Sequence, residues 1–506
     1  MVRSLHIRSL PNLSLPCSQV KPSREEFRSL CQQYNLIPIY TEVLADLDTP
    51  VSALLKIGAD DTCYLLESVE QGERVGRYSF VGNGASLTFS AHGRTITLRT
   101  GDGCHTETAD DPLEALEKLM SRYKPAPVQG LPPFFGGAIG YLAYDAARRF
   151  LDLGDGPPDE LGLADMFFLF TDSMIIFDHA NRTLLAVHNA RVEGDPDRCY
   201  DRALAAIDEL LEKLSRPEPP RPRLALAPQL PSFRSSFTEE RFITAVEECQ
   251  RYIAQGTADQ IVLSQRLTTP VQAEPLDIYR VLRTLNPSPY MFYLQLPECH
   301  LIGSSPELMV QVQDDRVNVR PIAGTRPRGR TSDEDAQYAG ELLADEKERA
   351  EHLMLLDLSV TDLRKVCEED SVQVDERMSI ERYSHVMHMV SHVSGRLAKD
   401  RTPFDVLRAT FPAGTVSGAP RARAMKIIDT LEPVRRGPYA GCVGHIGFGG
   451  NMNTCITIRT LVVKDGLAHV QAGAGIVAAS DPKKEYEETL KKAQVLLQAA
   501  SVQRYR

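Results

Sequence analysis

Two pairs of glutamates, far apart in the chain, set the strongest demand on how it folds. Glu348 and Glu351 lie in Glu346-Lys347-Glu348-Arg349-Ala350-Glu351-His352, and Glu485 and Glu488 follow Asp481-Pro482 near the other end. Each pair has the i,i+3 spacing that puts both carboxylates on one face of a helix. From spacing alone, two solvated charged faces are the simpler reading. If the fold docks the two faces together, four carboxylates converge, and such a cluster repels itself unless a hard dication sits in it; Mg²⁺ is the usual guest.

The remaining composition narrows the class. The 506 residues are 42% hydrophobic and 25% charged, an ordinary globular balance with room for a large core. A formal net charge of −11 argues against nucleic acid as a main partner, since phosphate binding needs a positive field. No apolar run is long enough to cross a bilayer. The ten cysteines show no C-x-x-C pairing, which excludes a disulfide frame or zinc site and predicts a reducing compartment, the cytoplasm. Arg3, Arg8 and Lys21 precede the first acid, Glu25, so a plastid transit peptide is the alternative reading of residues 1–24 and a disordered tail the simpler one. The chain contains no tryptophan.

A proline-rich passage, 215–235, reads as an extended linker between an N-terminal region, 25–214, and a second region, 236–502. In the first, Pro133 to Tyr141 is strand-like and enters a helical stretch at Asp145. After the linker, Ser236 with Glu239 predicts a capping box, and Phe242, Val246, Cys249 and Ile253 continue at helical spacing to a stop at Gly256. Strands are predicted over 260–267, 308–312, 317–321 and 454–463, and a helix over 333–358. Pro482 at a first helical position, after Ser480 or Asp481 as cap, opens the last helix.

Gly473-Ala474-Gly475-Ile476-Val477-Ala478 matches the G-x-G-x-x-A string of dinucleotide folds, but the helix starts too late for that fingerprint. The glycines can still bring backbone N–H groups close to an anion, or simply form a tight turn. His385, His388 and His392 would fall at i, i+3 and i+7 on a helix; their strand-forming neighbours instead favour one working histidine over a ligand trio.

Several motifs together carry a family resemblance. They are Leu65-Leu66-Glu67-Ser68, Asn286-Pro287-Ser288-Pro289-Tyr290-Met291, Gly303-Ser304-Ser305-Pro306-Glu307 and Pro321-Ile322-Ala323-Gly324-Thr325-Arg326-Pro327. Arg382-Tyr383-Ser384-His385-Val386-Met387-His388, Gly414-Thr415-Val416-Ser417-Gly418-Ala419-Pro420, Cys455 to Thr460 and Gln471 to Val477 follow in order. With the two glutamate pairs they span nearly the whole chain, which resembles the chorismate-utilising enzymes of the anthranilate synthase component I type. The resemblance implies an α+β fold of two stacked antiparallel β-sheets flanked by helices, with the N-terminal part packed on a chorismate-binding catalytic part.

It also implies roles. Glu348, Glu351, Glu485 and Glu488 would surround Mg²⁺ and the ring carboxylate of chorismate. Arg459 and the backbone at Gly473, Ala474 and Gly475 would hold the enolpyruvyl carboxylate, with Tyr439 and Thr415 nearby; a guanidinium suits a carboxylate because it binds bidentately. Glu307 would be the general acid for the departing ring hydroxyl, and His388 would serve loss of hydroxyl and elimination of pyruvate. Within the Ala323-Gly324-Thr325 motif, Ala323 stands where aminodeoxychorismate synthases carry a nucleophilic lysine. Gln260 stands where isochorismate and salicylate synthases carry a lysine that activates water. Ammonia is then the expected nucleophile, supplied from solution or by a separate glutamine amidotransferase subunit in a hetero-oligomer, since no glutaminase segment is evident. Glu67, Ser68, Asn286, Pro287, Ser288, Pro289, Tyr290, Met291, Val443 and His445 match a feedback pocket for L-tryptophan.

Departures from the family pattern bear on these expectations. Asp357-Leu358-Ser359-Val360-Thr361-Asp362 lacks the usual arginine and asparagine, Asn453 replaces an aspartate, and His445 stands where tyrosine is common. Two alternatives therefore stand beside anthranilate formation: an aminodeoxyisochorismate-type synthase that stops before pyruvate loss, and a non-catalytic tryptophan-binding subunit.

Overall fold

Apolar runs without alternation dictate the architecture. Met166–Thr171 is buried along its whole length, and only a strand covered on both faces tolerates that. Its Phe168 and Phe170 pack outward with Leu113, Leu116, Phe404 and Leu407 of helices, while Phe167 and Leu169 pack inward. Tyr290–Gln295 does the same on the other side: Met291 and Tyr293 meet Ile278, Leu282 and Leu496 of helices, and Phe292 and Leu294 turn inward. Each fully buried residue of this kind contributes about 1.5–3 kcal/mol.

The computed structural model describes residues 19–58, 60–68, 76–218, 220, 222–383 and 386–505. It is an α+β fold of two 12-stranded sheets, stacked on a shared layer that includes Tyr64, Phe292 and Leu294 from one sheet and Tyr141, Leu169 and Val443 from the other. Every strand pairing between the named strands is antiparallel, and helices coat both outer faces. In the first sheet the N-terminal strands join the rest where Cys63–Glu67 pairs with Tyr290–Gln295, Met291 opposite Glu67. In the second they join where Gly137–Leu142 pairs with Cys442–Gly447, Ile139 opposite His445. Both sheets are thus built from chain on either side of the proline-rich passage.

Several local expectations need correction. Two parts of the proline-rich passage are strands: Arg223–Leu226 pairs with Val502–Tyr505, and Arg234–Ser235 pairs with Leu267 and Thr268. Of the expected tail, residues 1–18 lie outside the described residues; from Lys21 the backbone is bonded to Tyr40, at 2.9 and 2.8 Å. The helix predicted over 333–358 is two, Ser332–Ala344 and Glu346–Arg364, because Asp345 leaves helical geometry and caps the second. Thr238, not Ser236, caps Glu239–Ala254; the Ser236 hydroxyl instead accepts the Arg266 N–H at 3.0 Å. The strand predicted over 454–463 breaks into Met452–Ile456 and Thr460–Lys464, with Arg459 at φ +50° between them.

Candidate active site

The site lies at the end of each sheet remote from the N-terminal strands. Gln260–Pro270 and Leu467–Ile476 pair side by side in the first sheet, and Ile322–Pro327 and Val386–Arg396 in the second. Two helices close over them, each opened by an aspartate. The Asp345 carboxylate accepts the N–H groups of Lys347 and Glu348 at 3.0 and 3.1 Å, and Asp481 those of Lys483 and Lys484 at 3.1 Å each. Both glutamate pairs therefore sit in the first turns, where the helix dipole offsets part of their charge.

The first pair is anchored from both sheets. The Gln260 amide donates to Glu351 Oε1 at 2.8 Å. Arg326 reaches Glu348 at 3.4 Å and Asp345 at 2.8 Å. Burial pushes the Glu351 carboxyl above the ordinary range, Gln260 opposes that shift, and Glu348 adds to it. Burial likewise raises Glu485, opposed by Ser480 and reinforced by Glu488. Lys347 and Lys492 draw on both Glu351 and Glu485, so the two helices share one electrostatic environment. Among the described residues, no group of three or more His, Cys, Asp or Glu stands close enough to hold a metal ion together.

Lys492 is the central cation, and the motif reading missed it. Its ammonium lies 2.6 Å from Glu488 and donates to the Gly473 carbonyl at 3.0 Å. The i,i+4 spacing Glu488 to Lys492 was the available signal. The opposing strand is lined with small residues for a steric reason. A Cβ on Gly473 would stand 2.9 Å from both the Leu263 carbonyl and the Tyr439 hydroxyl, and one on Gly475 would meet the Gln260 amide at 2.8 Å. The Gly473-Ala474-Gly475 run is thus neither turn nor dinucleotide loop but strand backbone.

Arg459 lies in left-handed backbone between two strands, and burial lowers its pKa, opposed by Tyr439 and Glu488. Its guanidinium donates to the Lys492 carbonyl at 3.4 Å. Gly324 has φ +71° at a register shift between Ala323 and Thr325, and a Cβ there would press on Leu342 at 2.8 Å and Glu348 at 3.1 Å. This bulge aims the Gly324 carbonyl at His388, whose Nδ1–H donates to it at 3.0 Å, with the Thr325 hydroxyl at 3.1 Å. The bond leaves Nε2 as the acceptor nitrogen. Burial lowers the His388 pKa, so the ring is held neutral. His392 instead meets Asn318 at 3.1 Å, and His385 lies outside the described residues, so no histidine trio is formed among the described ones.

Glu307 is the most perturbed carboxyl of the site. Burial pushes its pKa up to about 8, opposed by the Thr415 hydroxyl, the Ile322 N–H and the more distant Lys492. Glu307 and Thr415 line a small cavity together with Ser359, Asp362, Arg421 and Arg320. Ser359 of the unusual Ser359-Val360-Thr361 segment therefore lines the same cavity as the acid. Ser359 bonds back to the Leu355 carbonyl at 2.9 Å, and Asp362 is paired with Arg421 and, at 2.8 Å, with Lys365.

The residues matched to a feedback pocket sit apart from this site, at the two junctions of N-terminal and C-terminal strands. Buried Glu67 accepts from Tyr279 at 2.5 Å and pairs with Arg283 at 3.1 Å. Asn286 donates to Ser304 at 2.9 Å, and Ser304 to Ser288 at 2.9 Å. From the opposite sheet His445 stacks on Phe134, centroids 3.9 Å apart, and meets Phe80 edge-on at 5.7 Å. Burial pushes the His445 pKa down to about 3. Val443 is buried in the same layer between the sheets, and Pro287, Pro289 and Tyr290 lie on the run that enters the junction strand.

The family model described as chorismate binding enzyme matches residues 61–498. An anthranilate synthase component 1 of Pseudomonas putida is 46% identical over 488 residues, covering 95% of this chain and 98% of that protein. One from Acetivibrio thermocellus is 43% identical, covering 94% and 98%. The crystal structure of anthranilate synthase component I from Streptococcus pneumoniae TIGR4 superposes with a TM-score of 0.76 at 34% identity, over 90% of this chain and 99% of that one. A menaquinone-specific isochorismate synthase from Escherichia coli shares the fold, with a TM-score of 0.69 at 19% identity over 94% of this chain and 98% of its own.

Proposed function

This chain belongs to the chorismate-binding enzyme family, and from that premise we propose that it converts chorismate and ammonia to anthranilate, pyruvate and water, the first step of tryptophan biosynthesis. The carrying observation is Glu307, a buried carboxyl whose pKa stands near 8 beside Thr415. A carboxyl still protonated at neutral pH is what departure of a ring hydroxyl requires of a general acid. Neither Gln260 nor Ala323 can play the part of a lysine that activates water or bonds to the ring. Ammonia, neutral and already nucleophilic, adds to the ring, and the hydroxyl leaves as water with the Glu307 proton. His388 Nε2 is free to take a ring proton as the C–O bond to the enolpyruvyl group breaks. The released enolate gains a proton at its methylene carbon to become pyruvate, and the ring becomes aromatic.

Arg459, Tyr439 and the backbone at Gly473–Gly475 bind the enolpyruvyl carboxylate, and Lys492 adds a second cation beside it. Gln260 Oε1, buried and without a hydrogen-bond partner, offers an acceptor to an incoming N–H. The donor chemistry of Glu348, Glu351, Glu485 and Glu488 suits Mg²⁺: all are hard carboxylate oxygens, and within each pair one carboxylate raises the other's pKa. Bound there, the ion would neutralise that repulsion and the ring carboxylate.

The name component 1 of the relatives supports a second component as partner, which we take to be a glutamine amidotransferase that supplies ammonia. The junction residues around Glu67 and His445 are read as a tryptophan feedback pocket. Among the described residues no helix is long and apolar enough to cross a membrane, and the cytoplasm is the proposed location. The test is incubation of the purified chain with chorismate, Mg²⁺ and an ammonium salt, following anthranilate fluorescence and pyruvate. Amination without pyruvate would assign it instead to the aminating synthases that stop early, and no turnover would leave only a binding role.

A further inference from the structure

Behind the site lies a buried ion pair that the mechanism does not use. The side chains of Arg436 and Glu432 are each 2% exposed. Arg436 Nε and Nη2 donate to the two Glu432 oxygens at 2.9 and 2.6 Å. The same guanidinium also donates to two carbonyls of separate elements: Nη1 to Val416 at 2.7 Å and Nη2 to Val262 at 2.6 Å. Glu432 Oε1 in turn accepts both the N–H and the hydroxyl of Ser264 at 2.8 Å. The ring of Tyr144 covers the guanidinium at 4.5 Å. Asp145, next in sequence, accepts the Gly437 N–H at 3.2 Å and pairs with Arg148, which pairs with Asp429.

Burying such a pair returns little or no net stability relative to well-packed apolar residues. Its geometry gives it a different value. Val416 lies in the single helical turn Gly414–Ser417, which carries Thr415 and is too short to hold itself. Val262 is two residues from Gln260 on the strand paired opposite Gly475. We propose that Arg436 is a positioning residue: its planar fork sets the Thr415 turn against the Gln260 strand, and so holds Thr415, whose buried hydroxyl has no hydrogen-bond partner among the described residues, on the cavity it shares with Glu307. This inference rests on the reading of Glu307 as the acid. A single ammonium cannot reproduce a fork that spans two carbonyls and a carboxylate.

The test uses the full-length chain and the pH profile of kcat. Thr415, Lys492 and the Ile322 N–H all favour the charged form of Glu307, and Arg320, Asp362 and Arg421 lie on the same cavity. Arg436→Lys is expected to cost kcat at least ~10-fold, the equivalent of one lost buried hydrogen bond, with a smaller change in KM for chorismate. Its alkaline limb should move to higher pH, as in Thr415→Val, and the double variant should show no further displacement. If Thr415→Val moves the limb and a folded Arg436→Lys does not, the positioning role is overturned while the acid assignment stands. If Thr415→Val itself leaves the limb in place, the positioning role is overturned, and the acid assignment is decided separately by whether Glu307→Gln lowers kcat. Should the lysine variant not fold, Glu432→Gln with Arg436→Gln removes both buried charges at once and is read on the same profile, by the same criteria.

Discussion

The catalytic end of the sheets and their junction with the N-terminal strands each bury a glutamate and surround it differently. At the junction, Glu67 is met by the Tyr279 hydroxyl at 2.5 Å and the Arg283 guanidinium at 3.1 Å, both of which pull its pKa back against burial. At the catalytic end, Glu307 has only weaker opposition from Thr415, the Ile322 N–H and a distant ammonium, and burial carries its pKa up to about 8. Burial is the larger effect at Glu67 too and raises its pKa, but a guanidinium and a phenol hold that carboxyl on both oxygens, which suits recognition of a ligand. The other is left free to change its protonation state, which suits chemistry.

Removing Glu307 breaks the comparison most directly. Glu307→Gln should lower kcat by ~10²–10⁴, the usual worth of a general acid, as read by anthranilate fluorescence; a loss smaller than tenfold would reject the assignment. Its stability should change in a defined sense. The folded pKa of about 8 exceeds the ordinary 4.5, so the folded state binds more protons across that window and loses stability as pH rises through it. The glutamine variant should therefore melt higher than the parent at pH 9 by more than it does at pH 5. Next in size, Glu351→Gln should weaken apparent Mg²⁺ affinity by at least the ~10–100-fold seen when even an outer partner of a metal site is lost; Mg²⁺ titration of the rate checks it, and an unchanged half-saturation point would remove Glu351 from the ligand set.

Two smaller effects sharpen the other half of the comparison. Glu67→Gln should raise the tryptophan concentration for half-inhibition by roughly 10–100-fold, the worth of a hydrogen bond to a charged group, with inhibition curves as the measurement. His445 is held neutral between Phe134 and Phe80, far below its ordinary 6.5. The unfolded chain takes up a proton there as pH falls below 6.5 and the folded chain does not until about 3, so stability is lost on acidification across that window. His445→Phe should flatten the fall of melting temperature between pH 7 and pH 5. A parallel fall in both proteins would show that the ring is not the cause.

The polar side chains that line this end of the sheets could mostly be named from motifs, Lys492 excepted. What supports them could not. Asp345 looked like one more polar residue in a helical run, and only its cap to Lys347 and Glu348 shows why the helix restarts there. Thr457-Ile458-Arg459 continued an alternating pattern, yet Arg459 takes left-handed backbone that no periodicity signals. Arg436 and Glu432 are an unexceptional i,i+4 pair in sequence; that they are buried, and bridge Val416 to Val262, follows from the packing of three elements distant in the chain. The stacked sheets came from family resemblance, while the apolar runs by themselves required only strands covered on both faces.

The interleaving of each sheet from chain on both sides of the proline-rich passage has a practical consequence for dissecting the protein. A fragment cut within that passage would strip the neighbour from Tyr290–Gln295 in one sheet and from Cys442–Gly447 in the other. Each would become a bare edge, Tyr-Met-Phe-Tyr-Leu-Gln in the first and Cys-Val-Gly-His-Ile-Gly in the second, and an uncovered edge recruits other chains. Attempts to isolate a minimal catalytic piece should therefore yield aggregates, and co-expression of the two pieces, which lets each supply the other's missing strands, is the route by which a split version would become workable.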